Sequence, residues 1–226
     1  MSEEFIQQEF YVSFSRGVEG SYYGRIVEEI RNNDHICNVV PDTQLLTHVS
    51  FDLGMDDCTA IWFWQQVGQE IRVIDYYENN GEAIPHYVNV IKAKPYMYGD
   101  FWLPHDANVR ELGSGLSRLD VFRNLGINAR IVPNIPVMDG IEIVRGTLPR
   151  CWFDAKKCER GIKALEMYHK AYNPKLEVYS TRPVHDQWSH GADAFRYACV
   201  AMKLGNLSSG EMSAQEWNKI RNKNIL

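Results

Sequence analysis

The sequence lacks the features that would place the chain in a membrane or outside a cell. It contains no run of about 18 apolar residues, so we expect no membrane-spanning helix. The first stretch, MSEEFIQQEF, is acidic and has no apolar centre, so we expect no secretory signal peptide. The five cysteines include no CxxC pair, and neither a disulfide framework nor a zinc site is indicated. Reduced thiols in a cytoplasm fit this pattern.

A nucleotide-binding loop, internal repeats and low-complexity segments are also missing from the sequence. Without a GxxxxGKS/T stretch, the chain has no P-loop with which to cradle a triphosphate. What is present is ordinary for a globular protein, because 45% of the 226 residues are hydrophobic and 23% are charged. This length allows one large domain or a domain with tails.

The net charge of −5 is unevenly distributed along the chain. Residues 1–109 hold 6 lysines and arginines against 17 acidic residues, whereas residues 110–182 hold 13 against 8. An acidic cation site beside a basic phosphate-binding surface would give this distribution. Charges scattered over solvated faces would give it too, because neighbours in sequence need not share a surface.

Apolar periodicity and turn residues predict strands that alternate with helices. The predicted strands lie at about 46–53, 58–66, 70–77, 98–104 and 128–132. The predicted helices lie at about 22–32, 82–94, 114–125, 137–149, 155–171 and 190–204. A further strand at about 176–181 would belong to an auxiliary hairpin. Three antiparallel strands followed by strands joined through helices predict an α/β fold with a mixed five-stranded sheet and helices on both faces. This is the element order of the ribonuclease H fold.

The predicted fold occupies residues 46–204. Residues 1–45 carry aromatic side chains spaced among Ser, Gly and Glu, and we predict an arm or linker there rather than a core. Residues 205–226 are polar and predict a C-terminal tail with one short helix.

Three aspartates fall where this fold would bring them together. Asp52 ends the first predicted strand, Asp106 follows the fourth, and Asp193 lies in the first turn of the last long helix. Because the first and fourth strands would lie side by side, their ends can place two carboxylates near one cation, and a helix on that edge can supply a third. Oxygen ligands suit Mg²⁺ or Mn²⁺ rather than Zn²⁺. We expect these acids to be metal ligands and catalytic residues, with two ions about 4 Å apart.

Each of these acids also has a purely structural interpretation. Asp52 could be a turn residue, as could the neighbouring Asp57. Asp106 could cap a loop. Asp193 could simply favour the positive end of a helix dipole, which contributes about 0.3–1 kcal/mol.

Five stretches of the sequence carry a resemblance to a known family. They are, in chain order, SFDLGMDDCTAIWFWQ, IRVIDYYENNG, YMYGDFWLPHD, VMDGIEIVR and RPVHDQWSHGADAFRY. In these stretches, which run from about 48 to 198, the chain resembles the nuclease domain of the large terminase subunit of tailed bacteriophages. The last stretch is the longest and the most specific of the five.

The resemblance implies a metal-dependent endonuclease that cuts concatemeric viral DNA during packaging into a procapsid. It implies that Asp52, Asp106 and Asp193 are the metal ligands and that Asp57 lies near the metals. His190, His185 and Asp186, which are close to Asp193 in sequence, would touch the ligands or face DNA, with loop or helix-cap roles as the alternative. Large terminases also carry a P-loop ATPase, which this sequence lacks. We therefore expect a nuclease domain without its ATPase motor. Residues 1–45 would be the segment that joins the nuclease domain to that motor.

Double-stranded DNA is the expected partner, contacted mostly through its phosphates. The basic candidates for these contacts are Arg196, Lys92, Lys94, Arg110, Arg118 and Arg145. Arg196 could instead pair with a neighbouring acid, and the others could be solvated surface charges. The resemblance further implies a portal or procapsid and a small terminase subunit as partners, in the cytoplasm of a bacterial host and away from any membrane.

Two other functions are compatible with the same predicted fold. The chain could be another ribonuclease H-like nuclease, such as a junction resolvase. It could also be a catalytically silent module that docks on a portal, although the presence of all three acids argues against this.

Overall fold

The computed structural model describes residues 20–54, 58–173 and 175–209, and it gives residues 205–209 as helical backbone only. The strands are β1 (Ile36–Cys37), β2 (Thr47–Asp52), β3 (Cys58–Val67), β4 (Glu70–Asn80), β5 (Tyr98–Leu103), β6 (Ala129–Ile131), β7 (Cys151–Asp154), β8 (Lys170–Asn173) and β9 (Val178–Pro183). The helices are α1 (Gly24–Asn32), α2 (Ile84–Ala93), α3 (Arg118–Asn124), α4 (Val137–Thr147), α5 (Glu159–Met167) and α6 (Ser189–Ser209). Short 3₁₀ turns lie at His105–Asn108 and Leu148–Arg150.

Seven strands form one mixed sheet in the order β1-β7-β4-β3-β2-β5-β6, and β8 and β9 form a separate antiparallel hairpin. Strands β2, β3 and β4 are antiparallel neighbours, whereas β5 runs parallel to β2 and β6 parallel to β5. The predicted mixed sheet and auxiliary hairpin are therefore confirmed.

Local signals explain most of the elements. Gly68 adopts a φ of 59° in the tight turn between β3 and β4, a conformation that glycine reaches without strain. Helix α3 begins with a capping box in which Ser117 and Asp120 satisfy each other's backbone N–H groups. Pro85 lies in the first turn of α2, where no N–H is needed for the helix.

Strands β1 and β7 extend the sheet beyond the five predicted strands. Both pair in parallel along the β4 side, β7 with β4 and β1 with β7. Strand β7 was missed because its four residues lie between two helical patterns, and its stability comes from the neighbouring strands rather than from its own length. Strand β8, the partner of the predicted hairpin strand, was missed inside the predicted helix 155–171, which ends at Met167.

The sheet separates two hydrophobic cores. Trp62, Phe153 and Phe195 belong to the core on the face covered by α1, α4, α5 and α6. Phe51, Phe63 and Phe122 belong to the core on the other face, beneath α2 and α3. Because side chains alternate along a strand, consecutive residues of β3 supply both cores.

The described part of the predicted arm packs on the sheet domain. Tyr22 and Tyr23 are buried, and the Tyr23 ring stacks on Tyr168 with centroids 5.6 Å apart. The Tyr22 N–H donates to the Tyr168 carbonyl at 2.9 Å. Residues 20–32 are therefore part of the core, since their aromatic side chains are covered by α5 and its C-terminal extension. Residues 1–19 and 210–226 lie outside the described residues, and the predicted domain boundaries stay predictions.

No helix in the described part of the chain has the length and apolar character needed to cross a membrane.

Replacing Gly161 by alanine tests the close packing of α5 on the sheet. A Cβ at Gly161 would lie 2.4 Å from Trp62 Cη2 and 2.8 Å from Tyr76 Cδ2, so something must move. We expect Gly161→Ala to lower the free energy of unfolding by about 1–3 kcal/mol, measured by urea denaturation. Gly146→Ala is the matched control, because this helical glycine has open space around it and should gain about 0.5–1 kcal/mol. Equal effects at both positions would contradict the packing.

Candidate metal centre

Asp52 is the last residue of β2 and points to the side of the sheet that carries α6. Along β2, Phe51 belongs to the α2–α3 core, while Ser50 and Asp52 contact α6. Asp52 Oδ2 lies 3.1 Å from His190 Nδ1, and the Asp52 side chain is 19% exposed. A strand-end carboxylate thus faces a helix rather than open solvent.

Two buried hydrogen bonds fix the first turns of α6 on the sheet. Trp62 Nε1 donates to the Gly191 carbonyl at 2.8 Å, and Ser50 Oγ donates to the Ala194 carbonyl at 2.9 Å. A Cβ at Gly191 would lie 2.8 Å from Tyr76 Oη, so glycine permits this close approach. These contacts set the position of His190 and Asp193 relative to Asp52.

Asp193, one turn along α6 from His190, is held by three donors. Its Oδ1 accepts hydrogen bonds from Arg196 Nε at 3.2 Å, from Arg196 Nη2 at 3.0 Å and from Tyr168 Oη at 3.2 Å. The Tyr168 contact was not predicted, because it arises only when the end of α5 packs against α6. No local pattern in the sequence signals it.

The electrostatics of the site show two acids in one partly dry environment. Burial raises the pKa of Asp52 above its usual value, and the negative charge of Asp193 raises it further. The hydrogen bond from His190 and the charge of Arg196 act in the opposite direction without cancelling the rise. The Asp193 charge therefore acts on Asp52, although burial is the larger cause of the raised pKa.

Asp106 lies at the same edge of the sheet but is engaged elsewhere. It follows β5, which runs parallel to β2, so both strands end at this edge. Its carboxylate is 53% exposed and lies 3.4 Å from Arg118 Nη1. Within residues 20–54, 58–173 and 175–209, no three His, Cys, Asp or Glu side chains lie close enough to hold a metal ion together. Asp193 lies within electrostatic range of Asp52, whereas Asp106 shares only the end of the sheet with them.

The remaining acidic and histidine candidates have different positions. Asp57 lies outside the described residues. Asp186 accepts from the Trp188 N–H at 2.9 Å just before α6, and His185 Nδ1 lies 3.1 Å from Ser189 Oγ, so both residues support the start of this helix. Of the two roles considered for His190, the structure shows contact with Asp52.

Most of the basic candidates for DNA contact are paired with acids. Arg196 is buried against Asp193, so the pairing alternative is the one observed. Lys94 pairs with the buried Asp75 at 2.5 Å, and Arg145 pairs with Glu142 at 2.6 Å. Arg118 pairs with Asp106, Lys92 donates to the Leu125 carbonyl, and the Arg110 backbone bridges to Ser117. Their roles toward DNA stay predictions.

An open cleft of about 580 Å³ lies beside the pair formed by Asp52 and His190. Its lining includes His190, Glu78 and Arg160, with Asn79 and Asn80 from the end of β4. Arg160 donates to Glu78 at 2.6 Å, and its guanidinium lies 4.2 Å from the centre of the Trp188 ring. Sequence reasoning missed Arg160, because only the packing of α5 beside α6 brings it to this cleft.

The overall structure is similar to solved phage terminases. The large terminase of a thermophilic bacteriophage, solved with ATP-γ-S, superposes with a TM-score of 0.58 at 18% identity, over 74% of this chain and 43% of that one. The nuclease domain of the P22 large terminase superposes with a TM-score of 0.58 at 14% identity, over 74% of this chain and 86% of that one. The nuclease domain of the phage SPP1 large terminase, with bound Mn, superposes with a TM-score of 0.52 at 17% identity, over 68% of this chain and 84% of that one.

The chain has the fold of the large terminase nuclease domain. Neither a protein-family model nor a curated protein sequence matches it, so the likeness is one of structure. The chain spans less than half the length of the full large terminase to which it is similar, and it covers most of the P22 and SPP1 nuclease domains.

The donor set of this terminase-nuclease fold fits a hard divalent cation. Asp52 and Asp193 offer carboxylate oxygens, which Mg²⁺ and Mn²⁺ prefer. Burial is the largest cause of the raised pKa of Asp52, and the Asp193 charge adds to it. Asp106 at the same edge is a further oxygen donor that would have to leave Arg118.

Replacing Asp52 by asparagine should raise the thermal stability of the metal-free protein at pH 7. A carboxyl whose pKa is raised on folding destabilises the fold when it is ionised, so removing its charge removes that cost. The advantage should shrink as the pH falls and should vanish well below 3.8, where the carboxyl is protonated in both the folded and the unfolded chain.

Calorimetry of both proteins across this pH range measures the effect. Asp34→Asn, at an exposed turn, is the control and should leave the melting temperature unchanged. An Asp52→Asn variant that melts below the wild type at pH 7 would contradict the electrostatic interpretation.

Proposed function

We propose that the chain is a metal-dependent DNA endonuclease of the large terminase type. The observation that supports this most strongly is the position of Asp52 at the end of β2, where it contacts His190 of α6 and lies within electrostatic range of Asp193, in a terminase-nuclease fold. The bound Mn of the SPP1 nuclease domain supports Mg²⁺ or Mn²⁺ as the cofactor. Cutting of concatemeric viral DNA during genome packaging is the proposed biological role.

Asp52 and Asp193 are proposed to hold the cation, with Asp106 and Asp57 as further oxygen donors and two ions as the expected number. A bound divalent cation would supply Lewis-acid stabilisation of the phosphate charge and would lower the pKa of the attacking water. The chain's own residues orient the donors, because His190 contacts Asp52 and Arg196 contacts Asp193. The buried hydrogen bonds of α6 keep these groups in place before DNA arrives.

The cleft beside His190 is the proposed entry for a DNA strand. It is open and adjoins His190, which contacts Asp52, and Arg160 contributes a guanidinium to its lining. Arg160 is paired with Glu78, so a phosphate would have to compete with this carboxylate. Arg110, Arg118, Arg145 and Lys94 remain proposed phosphate contacts further along the duplex.

The proposed partners beyond DNA are a portal or procapsid and a small terminase subunit, in the cytoplasm of a bacterial host. They are proposed because large terminases share this fold.

Cleavage of supercoiled plasmid tests the proposed function. We expect nicking and linearisation with Mg²⁺ or Mn²⁺ and none with EDTA. Asp52→Asn and Asp193→Asn should abolish cleavage because each removes a ligand charge, while His190→Ala should slow it by about 10–100-fold because it loosens Asp52. Asp34→Asn is the matched control, since it also neutralises one aspartate but at an exposed turn, and it should cut like the wild type.

The same assay separates the alternatives. Unchanged cleavage in both Asp52→Asn and Asp193→Asn would contradict the site. Cleavage confined to four-way junctions would favour a junction resolvase. No cleavage together with no metal binding by calorimetry would favour a silent docking module.

A further inference from the structure

Arg196 forms an unusually enclosed ion pair with Asp193. The pair has i,i+3 spacing on α6, and the two side chains are 8% and 24% exposed. Asp120 and Arg123 have the same spacing on α3, but their atoms are 3.8 Å apart and their side chains are 35% and 54% exposed. An exposed pair of this type contributes little, so the enclosed pair on α6 requires a different explanation.

The surrounding structure leaves a slot for the Arg196 side chain. A Cβ at Gly140 of α4 would lie 2.6 Å from Arg196 Cδ, so only glycine leaves room there. The guanidinium also lies 4.8 Å from the centre of the Tyr197 ring. The slot holds the Arg196 guanidinium in one place, beside the candidate metal centre.

The donors around Asp193 contact one of its two carboxylate oxygens. Every hydrogen bond that the described residues donate to this carboxylate ends on Oδ1, two from Arg196 and one from Tyr168. Oδ2 accepts none of these three hydrogen bonds. Tyr168 is itself fixed by stacking on the buried Tyr23.

We infer that Arg196 is a built-in counter-charge, which positions Asp193 and stabilises the paired acids without metal, at the expense of metal affinity. The inference rests on the proposed function, because it takes Asp193 as a metal ligand. A guanidinium held this close repels a divalent cation, while it attracts the carboxylates of Asp193 and Asp52. Tyr168 shares the positioning role but carries no charge.

Three possible roles of Arg196 predict different results. A counter-charge predicts that its neutralisation lowers metal-free stability and strengthens metal binding. A purely orienting role predicts weaker metal binding, because Asp193 would become mobile. A purely structural role predicts lower stability with unchanged metal affinity.

The test compares Arg196→Met with the wild type by two measurements on the full chain. Calorimetric unfolding without metal should show a lower melting temperature for the variant. Titration with Mn²⁺ by isothermal calorimetry should show a dissociation constant about tenfold lower than that of the wild type. Arg123→Met, which breaks the exposed pair of the same spacing, should change neither quantity.

A second variant keeps the inference testable if Arg196→Met does not fold. Arg196→Gln retains an amide donor for Asp193 but removes the charge, and it should also bind Mn²⁺ more tightly than the wild type. Arg196→Lys retains the charge without the two-pronged geometry and should bind Mn²⁺ with an affinity between those of the wild type and Arg196→Gln.

Unchanged or weaker Mn²⁺ binding in the neutral variants would overturn the counter-charge role while leaving the proposed function intact. Absence of Mn²⁺ binding in the wild type would overturn the proposed function itself, together with the inference that depends on it.

Discussion

The docking of α6 on strands β2 and β3 is the contact on which the candidate metal centre depends. Asp52 and Asp193 are separated by most of the chain, and they meet because Trp62 and Ser50 hold the carbonyl groups of α6 directly above the sheet. This approach requires a glycine in α6 at Gly191 and another in the adjacent helix α5 at Gly161, where any side chain would meet Tyr76 or Trp62. The hydrophobic core on this face is therefore also the scaffold of the site.

The same docking creates an electrostatic cost. Burying the Asp52 carboxylate is unfavourable, and this burial is the main cause of its raised pKa, to which the Asp193 charge adds. The chain offsets the cost with His190 at one acid and Arg196 at the other.

The fold was largely predictable from the sequence, because β2 to β5 and α6 have apolar patterns bounded by clear turn residues. Strands β1 and β7 were not predictable, since segments of two and four residues are stabilised by their neighbours in the sheet. Sequence position made Asp52 and Asp193 candidate ligands, which they stay, but it could not show that Arg196 is buried or that Tyr168 donates to Asp193. Both facts follow from the packing of α5 and α6, which have no short-range signature. The role of Asp106 stays a prediction, because its carboxylate is paired with Arg118.

The most direct test of the central claim is a crystal structure of the protein soaked in Mn²⁺, with anomalous scattering recorded at the manganese edge. The account predicts an anomalous peak in contact with both Asp52 and Asp193, and its loss in Asp193→Asn crystals soaked in the same way. A Mn²⁺-soaked crystal with no peak at these two acids, or with its ordered manganese at another place in the fold, would contradict the account.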